Sequence, residues 1–185
     1  HGWSTAAFVS AYPVSQAIGL DRGYQAFSSS VDDRLDSLDP SESQRPERFW
    51  ADAASNRTQR RSDATTDAAL TWLEEHAEKG PWHLWVHYFD VHDFSLVPPA
   101  AYAAERGVTY TPELPPTSVE AREAMYDFEL GYMDAQFGRL IEWLQRSGEY
   151  DDTAILVVAD HGQGLKDGLQ RHGWPSHRLL YDWSI

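Results

Sequence analysis

Apolar residues in this chain fall alternately into short two-faced runs and longer one-sided stripes, with polar stretches between them. Thr5 to Ser10 (T-A-A-F-V-S) is a short apolar run after Gly2, the pattern of a buried strand. From Ser28 to Arg61 the sequence turns polar, and Asp32, Asp33, Asp36, Asp39 and Glu42 precede Arg45-Pro46. This segment, 28–61, reads as a polar insertion: a solvated helical face and then a loop. Its acids lack the alternating oxygen ligands and central glycine of a calcium loop, so that reading is set aside. Ser62 to Lys79 carries Ala68, Ala69, Trp72 and Leu73 on one helical stripe and stops at Gly80-Pro81, where glycine caps and proline cannot continue.

His83 to Phe89 (H-L-W-V-H-Y-F) follows at once, apolar on both faces and rich in aromatic residues, as expected of a central parallel strand. Asp90 to Pro116 then contains Pro98, Pro99, Pro112, Pro115 and Pro116, which is too proline-dense for the interior of an element and too long for an ordinary connection. Long loops of this kind often line sites. Thr117 opens T-S-V-E, a capping-box pattern, and Met133, Phe137, Leu140, Ile141 and Leu144 mark a long amphipathic helix ending before Gly148. Thr153 to Ala159 (T-A-I-L-V-V-A) completes the series as a second strand apolar on both faces. Helix, strand, helix, strand is the order of crossovers in a parallel sheet, so the fold class is α/β, a mostly parallel central sheet flanked by helices.

Composition narrows the function. With 15 basic and 29 acidic side chains among 185 residues, the chain carries a net charge of −14, which opposes binding to nucleic acid or an anionic membrane. No stretch approaches the ~18 apolar residues of a membrane-spanning helix. The absence of cysteine removes disulfides, thiolate metal sites and a cysteine nucleophile from these residues, and leaves the compartment open.

Ligands of open parallel sheets bind beyond the carboxyl ends of the strands, and both two-faced runs end in an acid and a histidine. The first ends in Asp90-Val91-His92-Asp93 and the second in Asp160-His161-Gly162-Gln163-Gly164. A strand-terminal Asp followed by His offers an oxygen and a nitrogen to one divalent cation. The same pair also suits an Asp that caps a turn and a His bonded to it. Further on, His172-Gly173-Trp174 and Ser176-His177-Arg178 place two histidines and a guanidinium in a short stretch, groups able to stabilise an oxyanion or protonate a leaving oxygen, or else simply exposed. His76, His83 and His87 lie within elements and read as structural.

These residues carry a resemblance. Trp85 to Asp93, Gly131-Tyr132-Met133-Asp134-Ala135-Gln136, Thr153 to Gly164, His172-Gly173-Trp174 and His177-Arg178-Leu179-Leu180-Tyr181, together with Thr5 to Val9 and Gly23-Tyr24-Gln25-Ala26-Phe27, resemble in order the central part of the sulfatase family, within the alkaline phosphatase superfamily. The resemblance implies hydrolysis of a sulfate ester, on a sulfated glycan or a small molecule, by a formylglycine nucleophile made from Cys or Ser beside one divalent ion, usually calcium. It implies that Asp160 and His161 are metal ligands, that His92 contacts the sulfate and assists the leaving oxygen, and that His172, His177 and Arg178 belong to the stretch supplying the last cations of the site. Of these, His177 joins His92 as a candidate proton donor, and His172 and Arg178 are candidate substrate contacts.

The departures set further expectations. Ser10 and Tyr12 stand where many members have Lys and His. With no cysteine and no Ser-x-Pro-x-Arg run, the nucleophile is expected to lie outside the chain, which then reads over 1–185 as the central part of a sulfatase-like catalytic domain, inactive alone. Uncovered strand edges would favour self-association. Two rivals share the pattern: a phosphatase, phosphodiesterase or phosphoglycerol transferase of the same superfamily, and a non-catalytic binding member.

Overall fold

A computed structural model of the protein describes residues 2–29, 59–92, 96–108 and 118–162. Strand β1 (Ser4–Val9) lies in the middle of a three-stranded sheet, with β2 (Ala26–Ser28) on one side and β3 (Trp82–His87) on the other. Both pairings are parallel, with Ala6 opposite Ala26 and the β1–β3 ladder running from Ser4↔Trp82 to Val9↔His87. The two-faced run at Thr5–Ser10 therefore is the central strand, with Ala6, Ala7 and Val9 fully buried. The run at 83–89 is parallel as expected, but it sits at an edge among the described strands and ends at His87. Its composition has a different cause: Trp82, Leu84 and Val86 pack on the core, while Tyr24 stacks against His83 and Trp85.

Helix α1 (Ser62–His76) continues into a 3-10 turn at Ala77–Lys79 before Gly80, close to the expected span. Its Ala69, Trp72 and Leu73 join Ala6, Phe8 and Leu140 in the core. Burying Phe8, Leu73 and Leu140 contributes roughly 1.5–3 kcal/mol each. A short helix α2 (Ala100–Glu105) lies inside the proline-rich segment, where the sequence suggested loop alone. The prolines do not interrupt it, because Pro99 is its N-cap and the next, Pro112, comes after its end.

Helix α3 (Val119–Ser147) starts one residue later than the capping-box reading implies. Ser118, rather than Thr117, accepts from the Ala121 N–H at 3.0 Å. It ends where Gly148 takes the left-handed conformation (φ 82°), a geometry that disfavours any side chain. Tyr102 of α2 packs against Phe128 and Tyr132 of α3, and its hydroxyl lies 3.0 Å from where a Cβ on Gly131 would stand. Glycine there permits the close approach.

The run Thr153–Ala159 does not form the expected second strand: among the described residues it pairs with no strand, and Leu156, Val157 and Val158 are 85, 72 and 77% exposed. A two-faced apolar strand requires neighbours on its edges and layers over its faces, and the described residues supply neither. Most of the polar segment 28–61, as residues 30–58, lies outside the described residues. Among those described, no helix is long and apolar enough to cross a membrane.

Candidate active site

The carboxyl ends of β1 and β3 lie side by side because their register pairs Val9 with His87. The Ser10 N–H points at His87 Nδ1 across 3.4 Å, and Ser10 Oγ shares a 2.6 Å hydrogen bond with Thr65 Oγ1 in the first turns of α1. Ser10 is thus a buried joint between strand and helix, with no reach toward a ligand.

His87, Phe89 and His92 form a ladder of rings. The His87 and Phe89 centroids are 5.9 Å apart, and those of Phe89 and His92 are 4.1 Å apart with planes only 19° from parallel. His92 ends the 3-10 turn Asp90–His92 and is half-buried. Burial draws the His87 pKa below the usual histidine range, and the negative charge of Asp160 opposes that shift.

Asp160 and His161 are held together locally. Asp160 Oδ1 accepts from the His161 N–H at 2.9 Å, Asp160 Oδ2 lies 3.6 Å from His161 Nε2, and His161 Nδ1 lies 2.8 Å from the Gly162 carbonyl. The Asp160 side chain is 89% exposed. One oxygen and one ring nitrogen so placed fit two positions around a single divalent ion. Among the described residues no group of three or more such donors gathers at one point, so the pair fits part of a coordination set.

Asp90 shows how the same motif serves another end. It is 1% exposed, and its Oδ1 accepts from both the N–H and the hydroxyl of Ser62, at 3.0 and 2.7 Å. It thereby satisfies the first N–H of α1, 28 residues earlier in the chain, a long-range role distinct from both the cation donor and the cap of the following turn that the sequence suggested. Its Oδ2 is buried without a hydrogen bond, and burial pushes its pKa up to about 6 despite the bonds from Ser62.

Of the six residues singled out from the sequence, His92 stands in the ring ladder beyond β3, and Asp160 and His161 stand together at the end of the extended run. His172, His177 and Arg178 lie outside the described residues. His87, read from the sequence as structural, ends β3 with its Nδ1 facing the Ser10 N–H. The strand ends two residues before the expected Phe89, which leaves His87 at its carboxyl end.

His87 and His92 thus stand at and beyond the carboxyl end of β3, the end of an open parallel sheet where ligands bind. A family model described as Sulfatase matches residues 3–180, and the chain belongs to the Sulfatase family. Searches among curated proteins and among solved structures give no match.

Proposed function

We propose that the chain forms the carboxyl-end face of a sulfate ester hydrolase, in which His92 protonates the departing oxygen and Asp160 with His161 holds a divalent cation, calcium by preference. The observation that carries this reading is the ring ladder His87–Phe89–His92, which sets a half-buried His92 beyond the carboxyl end of β3, where open parallel sheets bind their ligands. A bound cation would supply positive charge to polarise the sulfuryl oxygens. His92, its ring fixed against Phe89, would give its proton to the alkoxide as the S–O bond breaks. The nucleophile, a formylglycine by family resemblance, comes from outside these 185 residues, in keeping with a sequence that has no cysteine. His177 is the second candidate donor, and His172 and Arg178 are candidate contacts to the sulfate of a sulfated glycan or small molecule.

The test is hydrolysis of nitrophenyl sulfate and nitrophenyl phosphate by the protein in its full-length form. Sulfate turnover that drops about 10²- to 10⁴-fold in His92→Ala, at unchanged fold by circular dichroism, is the expected result. Turnover confined to the phosphate ester assigns the chain to phosphoryl transfer, and cation binding without turnover of either ester assigns it to a binding role.

A further inference from the structure

Arg60 is a buried cation, and among the described residues no carboxylate pairs with it. Its residue is 7% exposed, its Nη1 and Nη2 donate to the Oγ and carbonyl of Ser28 at 3.3 and 2.9 Å, and its buried Nε has no hydrogen-bond partner. A guanidinium carries five N–H donors, and burying one without a counter-charge is costly. Desolvation accordingly lowers its pKa to about 10, which still leaves it charged at neutral pH.

Beside Arg60 opens a cavity of about 290 Å³, with Arg61, Asp63, Asp67, Leu96 and Val97 among its walls. The carboxylates in those walls are already matched. Asp63 takes Arg61 in a two-pronged pair at 3.1 and 2.6 Å, and Asp67 takes Arg139 at 2.6 Å. What remains among the described walls is the positive charge of Arg60, in a chain whose net charge is −14. An uncompensated guanidinium next to a cavity is the chemistry of an anion site.

The cavity flanks the face already described. The Arg60 N–H donates to the Ser10 carbonyl at 2.8 Å, and Ser62, two residues on, is bonded to Asp90 just before His92. We propose that this cavity is an anion subsite that receives a second acidic group of the substrate, a carboxylate or a further sulfate, next to the ester that reacts. The proposal rests on the hydrolase reading above and narrows it: the substrate carries at least two anionic groups, with Leu96 and Val97 meeting its carbon skeleton.

Equilibrium dialysis of the chain with radiolabelled inorganic sulfate, at fixed ionic strength, tests this directly. One saturable equivalent is expected, weakened about tenfold or more in Arg60→Gln. Val97→Asp, which sets a negative charge in the cavity and leaves the Arg60–Ser28 bonds in place, should do the same, with circular dichroism confirming that both variants fold. Displacement of the label by glucuronate assigns the subsite to carboxylates as well, and its failure assigns it to sulfate; either supports the site. The proposal is overturned if the wild-type chain shows no saturable binding at millimolar sulfate, or if both cavity variants bind as the wild type does. Binding lost in His92→Ala but kept in both cavity variants places the ion at the reacting ester, which sinks the cavity and spares the hydrolase reading. Binding lost only in the cavity variants, in a full-length protein that fails to turn over nitrophenyl sulfate, leaves the anion site standing and removes the hydrolase.

Discussion

Replacing Asp90 by asparagine separates two roles that one carboxylate combines. Oδ1 holds the Ser62 N–H and hydroxyl, and an asparagine oxygen can keep both bonds. Oδ2 is buried with no donor, and this unrelieved desolvation raises the pKa from 3.8 to about 6. That difference corresponds to about 3 kcal/mol of preference for the protonated form in the folded chain. Because the folded state binds this proton more tightly than the unfolded state does, the stabilisation is complete below the unfolded pKa and is lost as pH rises from about 3.8 through about 6. Asparagine cannot titrate, so the variant lacks this loss. Its new amide N–H is buried at the Oδ2 position, and any cost of leaving it without an acceptor, ~1–3 kcal/mol, is independent of pH. The informative quantity is therefore the change with pH and not the offset. Urea denaturation of both proteins between pH 4 and pH 7.5 should show the variant gaining on the wild type by on the order of 2–3 kcal/mol across that range. Parallel stability profiles would refute the reasoning, since Asp90 would then titrate alike in the folded and unfolded chains.

Two further outcomes follow from the same geometry. In the metal-free chain, NMR titration should place the His87 pKa below the usual histidine value, and Asp160→Asn should lower it further by removing the charge that opposes desolvation; an unmoved His87 would detach Asp160 from the end of β3. Sedimentation over a range of concentrations should show association, because Leu156, Val157 and Val158 expose contiguous apolar surface; a non-associating monomer that also fails to bind an apolar-surface dye would contradict it.

Elements whose burial is decided locally were legible in the sequence. The stripe of Ala69, Trp72 and Leu73 gave α1, and the stop at Gly80-Pro81 fell where the 3-10 turn ends. Thr153–Ala159 was not legible, because its two-faced apolar composition describes what a strand would need and says nothing of whether a ladder partner lies beside it. Asp90 and Asp160 illustrate the same limit at the site. Each precedes a histidine or nearly so, yet one is buried under Ser62 as a cap and the other stands in solvent beside His161. The partner that decides between these roles lies 28 residues away in the first case and next in sequence in the second. The end of β3 falls two residues short of the expected Phe89, a shift that is small for a strand yet moves His87 from mid-sheet to the carboxyl end.

The two ends of α1 are joined to the sheet by different kinds of contact. Near its start, Ser62, Thr65 and Thr66 are fully buried and bond to Asp90, Ser10 and the Tyr88 hydroxyl, the last at 2.7 Å. Further along, Ala69, Trp72 and Leu73 meet the sheet through apolar contact alone. Hydrogen bonds are directional and fix position to within tenths of an ångström, whereas apolar contact tolerates sliding and repacking. A joint of this make-up has a reference end and a compliant end, as a beam has when it is pinned at one support and rests on a roller at the other. Changes of side-chain volume in the core, or of length in the turn at Gly80, are taken up at the Trp72 end while Ser62 keeps its station over Asp90. The scaffold thus has somewhere to put its errors, and that place is the end of the sheet away from the chemistry.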